Sequence, residues 1–138
     1  MINQITYIVM KHNLAPSSHS KDVMDWYKWA EKNGDLEVMV RPDGTLIGFV
    51  DWIRLKEVPS SREEARMLFN RDGNGGDILF ICNAYSDKEN PNALMRMHKK
   101  ILGKNKDASC YVFHNKKRNR MGVYMMSKKE ELCLIRKC

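Results

Sequence analysis

The chain has 138 residues, the length of one ordinary domain, and 43% of them are hydrophobic, which is enough for one core. Lys and Arg number 24 against 17 Asp and Glu, a formal net charge of +7 that favours polyanionic partners. No apolar run reaches the roughly 20 residues of a membrane helix. The N-terminus MINQITYIVMKH also lacks the basic, apolar and cleavage segments of a leader. A soluble, cytoplasmic protein without a membrane segment is therefore expected.

The segment ITYIVM (5 to 10) is rich in β-branched and aromatic residues and reads as a strand, followed by the Pro- and Ser-containing loop NLAPSSHS. Ser20 then caps a helix whose apolar positions Val23, Trp26, Tyr27 and Ala30 follow the helical period to Asn33-Gly34. Trp26 and Trp29 on it pin the helix to a sheet in preference to lining a cleft. LEVMVRPDGTLIGFVDWIRL (36 to 55) is a hairpin around Pro42-Asp43-Gly44, and its second arm, apolar on both faces, is interior to the sheet.

Ser60 and Glu63 form a capping box for a short helix through Phe69, and RDGNGG (71 to 76) is a turn or mobile loop. A strand from Ile78 to about Tyr85 follows. Asn90 as N-cap and Pro91 open the next helix, whose buried stripe is Leu94, Met97, His98 and Ile101 and which Gly103 ends. On that stripe His98 reads as a satisfied core histidine. SCYVFH (109 to 114) and MGVYMM (121 to 126) are strands, and the tail from Ser127 is either strand or helix.

Strands outnumber helices, so the expected class is α+β, with a right-handed strand–helix–strand crossover over residues 77 to 114. Cys82, Cys110, Cys133 and Cys138 show no metal-ligand spacing, so no metal site is expected; Cys82 and Cys110 read as small core residues.

Two stretches carry chemistry. Residues 86 to 92, SDKENPN, hand a strand to a helix N-terminus, whose unpaired N–H groups and partial positive charge suit a phosphate, although Asp87 and Glu89 oppose one. The basic turn HNKKRNR (114 to 120) holds Lys116, Lys117, Arg118 and Arg120. It suits nucleic-acid or other phosphates, and equally a solvated hairpin tip.

The order of elements resembles the GNAT superfamily of N-acetyltransferases, in the divergent form that phage-encoded members take. GTLIGFVDWIRL is similar to that family's third strand with its "dG.liGf" opening, DILFICNAYSD to the fourth, NPNALMRMHKKILG to the cofactor-binding helix and SCYVFHNK to the fifth strand. DKENPNA stands where the family's pyrophosphate loop carries glycines. The resemblance implies a single GNAT-like domain over 1 to 138, with a mixed, mostly antiparallel sheet and helices on both faces. It implies acetyl-coenzyme A as cofactor and an amine as acceptor.

On that resemblance Ile81, Cys82 and Asn83 bond the pantetheine arm, and Lys88, Asn90, Asn92 and Ala93 lie at the pyrophosphate. Tyr124 and Tyr85 are candidate general acids, and Asp51 or Asp87 a base acting through water. The alternative function is a non-catalytic nucleic-acid-binding module using residues 96 to 120.

Overall fold

The computed structural model describes residues 1–15, 19–115, 118, 120–126 and 132–137. It is an α+β fold of helices α1 (Ile2–Lys11), α2 (Ser20–Asn33), α3 (Arg62–Asp72) and α4 (Ala93–Lys104), with strands β1 (Leu36–Val40), β2 (Leu46–Leu55), β3 (Ile78–Ser86), β4 (Cys110–Asn115), β5 (Arg120–Met126) and β6 (Leu132–Lys137). The strands follow one another across the sheet in chain order. The sheet is mixed: β1–β2, β4–β5 and β5–β6 are antiparallel, and β3–β4 is parallel. The crossover expected over 77 to 114 is thus realised with α4 as its connection, and the undecided tail contains a strand.

The chain divides into two compact units, Met1–Asp51 with Asn83–Lys100 and Trp52–Cys82 with Ile101–Cys138. In the first, Ile5, Val9, Val23, Tyr27, Leu46 and Phe49 form one buried cluster. Phe49 and Asp51 face α2, through a ring contact with Tyr27 and hydrogen bonds from Trp26 and Tyr27. Gly48, one residue out of phase on β2, faces Met97 of α4, so helices cover both faces here.

The expected first strand, ITYIVM, is instead the body of α1. A strand would place Ile5, Tyr7 and Val9 on one face. Yet Ile5 and Val9 are buried while Tyr7 is 64% exposed, the spacing of a helix. The β-branched residues are accommodated because Ile2, Ile8 and Met10 extend the same apolar stripe onto the cluster, and the Thr6 hydroxyl donates to the Ile2 carbonyl one turn back, at 2.8 Å.

Several boundaries also move. His19, not Ser20, stands at the N-cap of α2, while Gly34 closes it in the left-handed conformation (φ 75°) as expected. Ser61, not Ser60, caps α3: its hydroxyl accepts the Glu64 N–H, and the Glu64 carboxylate reaches back to the Ser60 hydroxyl and N–H. The capping box exists one residue later because Ser61 and Glu64, with the same spacing, outcompete Ser60 and Glu63. Arg71 and Asp72, expected in a loop, end α3, and the loop that follows is tied to β2, the Gly75 N–H donating to the Arg54 carbonyl and the Asn74 side chain accepting the Arg54 N–H. Cys82 and Cys110 are half-buried and outside any disulfide, rather than core residues.

At Gly48 the end of β3 lies close against β2. A Cβ there would lie 2.5 Å from the Tyr85 carbonyl oxygen and 2.9 Å from Met97 Cε, so only glycine fits without a backbone shift. This glycine lies within the "dG.liGf" stretch that carried the family resemblance.

Candidate functional site

The strand-to-helix junction is built from short-range hydrogen bonds. The Asp87 N–H donates to the Ile47 carbonyl (2.8 Å), which extends the contact with β2 one residue beyond β3. The Asp87 carboxylate accepts the Glu89 N–H (2.8 Å), and the Asn90 N–H donates to the Asp87 carbonyl. The Ala93 N–H donates to the Asn90 carbonyl and that of Arg96 to Asn92, so α4 starts at Ala93, three residues after the Asn90 cap read from the sequence. Asn90 is used as a turn residue because Asp87 supplies the competing local acceptor. Gly103 lies inside α4, not beyond it.

These bonds decide which amides remain. Of the residues read as pyrophosphate contacts, Asn90 and Ala93 have committed their N–H groups internally. Lys88 and Asn92 precede α4, and Leu94 and Met95 follow its first residue. The last two belong to the first turn of α4, where a helix leaves its donors unpaired.

Arg41, at the end of the β1–β2 hairpin, pairs with Asp87 and lies 3.7 Å from Glu89. The Glu89 N–H and then the Arg41 guanidinium hold the Asp87 carboxyl below the usual carboxylate range, and the bond to Asp87 pushes the Arg41 guanidinium up. The two acids that oppose an anion at this seat are therefore countered by a cation from elsewhere in the chain. No local sequence pattern announces this, because Arg41 and Asp87 are 46 residues apart.

The strand leading to the junction is equally specific. The parallel ladder of β3 with β4 comprises Ile78↔Cys110, Leu79↔Tyr111 and Phe80↔Val112, whereas β3 continues to Ser86. Ile81, Cys82 and Asn83 follow directly after the last pair. Ile81 is buried; the Cys82 carbonyl accepts from the Arg62 guanidinium at 2.9 Å; and the Asn83 amide donates to Asp51 at 3.2 Å.

Asp51 has no exposed surface. One carboxylate oxygen accepts from the Tyr27 hydroxyl at 2.8 Å, and the other from Trp26 Nε1 at 3.0 Å and from Asn83. A carboxylate saturated by three donors in the core holds α2, β2 and β3 together, and both oxygens are occupied before any water arrives. Trp26 thus pins α2 to the sheet, with Trp29 packed beside it.

Tyr85 is half-buried, stacked on Phe49 at 5.7 Å and on exposed His12 at 5.7 Å. The His12–Tyr85 contact was not legible in the sequence, because reading residues 5 to 10 as a strand leaves His12 in a featureless loop. Tyr124 lies on β5, its ring parallel to that of Phe113 at 5.5 Å. His98 bonds the Leu94 carbonyl through Nδ1 at 2.7 Å and is half-buried, a satisfied histidine.

Lys116 and Lys117 lie outside the described residues. Arg118 and Arg120 are exposed at the β4–β5 turn, and the Arg118 N–H donates to the Asn115 side chain. Among the described residues no three His, Cys, Asp or Glu side chains gather as metal ligands, and no helix is long and apolar enough to cross a membrane. A surface depression of about 360 Å³, lined by Asn3, Gln4, Tyr7, Ile8, Thr45 and Leu46, includes none of the candidate residues. Comparison with family models, curated proteins and solved structures returns no significant match.

Proposed function

We propose that the protein is an acetyl-coenzyme A-dependent N-acetyltransferase of the GNAT type acting on an amine. The observation that carries this reading is the short β3–β4 ladder. Parallel pairing ends at Phe80↔Val112, and β3 runs on for six residues before the chain turns into α4. Backbone groups just past the end of a ladder suit an extended ligand that adds as a strand, here the pantetheine arm at Ile81, Cys82 and Asn83. An arm that takes the Cys82 carbonyl as its acceptor displaces Arg62 from it.

The pyrophosphate then falls at Lys88, Asn92 and the first turn of α4, with Arg41 offsetting Asp87 and Glu89. In the transfer step a neutral amine attacks the thioester carbonyl, the C–N bond forms, the C–S bond breaks, and the departing thiolate takes a proton. Tyr85 and Tyr124 are the proposed acids. Tyr85 stands on the cofactor strand and Tyr124 on β5. Asp51 and Asp87 each have both oxygens engaged, Asp51 positioning Asn83 and Asp87 holding Arg41, so the amine proton leaves through water toward the exposed His12.

Titration calorimetry with acetyl-coenzyme A on the full chain tests the reading. Saturable binding, weakened by Asn92→Asp through its added negative charge, is expected. No heat at high micromolar cofactor ends it. If binding is seen, Tyr85→Phe lowers turnover of an amine acceptor while leaving cofactor affinity in place.

A further inference from the structure

The β4–β5 hairpin presents two unlike faces. In its antiparallel register Tyr111, Phe113 and Asn115 lie opposite Tyr124, Gly122 and Arg120. Alternation puts these six on one face and Val112, Met121 and Val123 on the other. The second face is core, with Val112 and Val123 at 0% exposure and Met121 at 2%. The first face opens progressively: Tyr111 is buried, Phe113, Tyr124 and Asn115 are half-buried, and Arg120 is exposed.

Two features make the open face unusual for ordinary packing. The Phe113 and Tyr124 rings are parallel, 6° apart in plane at 5.5 Å between centroids, and they lie over Gly122. A Cβ at Gly122 would sit 3.0 Å from the Phe113 ring and 3.3 Å from that of Tyr124, so the missing side chain leaves room for this stacked pair, an aromatic shelf on the strand. Next to this shelf, toward the turn, stand Arg120 and Arg118, with the Asn115 side chain fixing the turn by accepting the Arg118 N–H. Along the sequence, residues 96 to 120 carry nine Lys or Arg against the single acid Asp107.

A half-buried, stacked aromatic pair beside exposed guanidinium groups matches a ligand that alternates π-faces with negative charges. Single-stranded nucleic acid has that chemistry, and an acidic peptide has only the charge. We propose that the β4–β5 hairpin binds single-stranded nucleic acid, a base stacking on the Phe113–Tyr124 shelf while Arg118 and Arg120 contact flanking phosphates. This site shares Tyr124 with the acetyltransferase reading but does not rest on it. It adds a specific surface to the general positive charge of the chain.

Fluorescence anisotropy of the full chain with a labelled oligothymidylate of about 16 nucleotides, and with an abasic deoxyribose-phosphate chain of equal length, tests it. Oligothymidylate binds more tightly than the abasic chain. Phe113→Leu, which keeps apolar volume without a π-face, and Phe113→Ala each weaken oligothymidylate binding about ten-fold and leave the abasic chain unaffected. Arg120→Ala weakens both ligands and lowers the slope of affinity against salt by about one.

Equal affinity for the two chains overturns the proposal, as does wild-type affinity in Phe113→Leu or absence of binding at low salt. Polyglutamate competing as well as oligothymidylate overturns it in favour of an acidic protein partner. Should Phe113→Ala fail to fold, as read by circular dichroism, Phe113→Leu and the abasic comparison decide.

Discussion

The Tyr27 hydroxyl donates to the Asp51 carboxylate at 2.8 Å, and neither residue has any exposed surface. A buried carboxylate is tolerated only where its lone pairs are filled, and Trp26 and Asn83 complete the set. Removing one donor and removing the shared acceptor therefore have different consequences. Tyr27→Phe should cost about 1–3 kcal/mol, and Asp51→Ala, which leaves three donors without their acceptor, clearly more. Urea unfolding followed by tryptophan fluorescence measures both, and equal losses in the two variants would contradict this account.

Gly48 and Gly103 make an opposed pair. A methyl group at Gly48 meets the Tyr85 carbonyl and Met97, so Gly48→Ala should destabilise by about 1–3 kcal/mol. At Gly103, inside α4, the same methyl group meets nothing within 4 Å. Gly103→Ala should stabilise by about 0.4–1 kcal/mol through reduced freedom of the unfolded chain. Thermal melts of the two variants should move in opposite directions.

The Arg41–Asp87 pair gives the junction a defined acid sensitivity. The Asp87 carboxyl is held low by the Glu89 N–H and by Arg41. Its contribution to stability is therefore complete above the unfolded carboxylate pKa of about 4 and is lost as the pH falls through the lower folded value. Arg41→Ala removes one of the two causes, so the loss of stability between pH 4 and more acid conditions should shrink without vanishing. Urea midpoints of parent and variant, measured across that interval, report the difference.

Arg54 should matter more than its most obvious partner. It bonds Asp107 through both terminal nitrogens, but Asp107 is largely exposed, and solvent screening leaves such a pair little net worth. Arg54 also donates to the side-chain carbonyl of Asn105, which is buried and whose amide donates to Ile101. Arg54→Ala leaves that carbonyl without its donor and should cost about 1–3 kcal/mol, exceeding Asp107→Ala. Equilibrium unfolding of the two single variants checks the order.

The parts of the fold read correctly from sequence are those where local chemistry and tertiary packing agree. The 36 to 55 hairpin has a turn of Pro42-Asp43-Gly44 and β-rich arms, and α2 combines a period with a terminal Gly34; nothing nearby competes. α1 was misread because its β-branched composition and its helical period disagree, and burial of Ile5 and Val9 decides for the period. The start of α4 was misplaced because Asp87 draws Asn90 into a turn. At the candidate site the individual residues were visible, but their partnerships were not. Asp51 with Tyr27, Tyr85 with His12, and Asp87 with Arg41 each join residues from separate elements, and no spacing rule encodes such a meeting.

The order of the strands has a bearing on how the chain reaches this structure. Each strand's spatial neighbours are its neighbours in sequence, and such local pairing keeps loop-closure entropy small and favours rapid folding. Two neighbours are joined over long connections, β2 and β3 through α3 and β3 and β4 through α4. The second closure is the parallel one. The three residue pairs it yields are a small return, so hydrogen exchange should find the Ile78–Phe80 ladder opening before the β4–β5 hairpin.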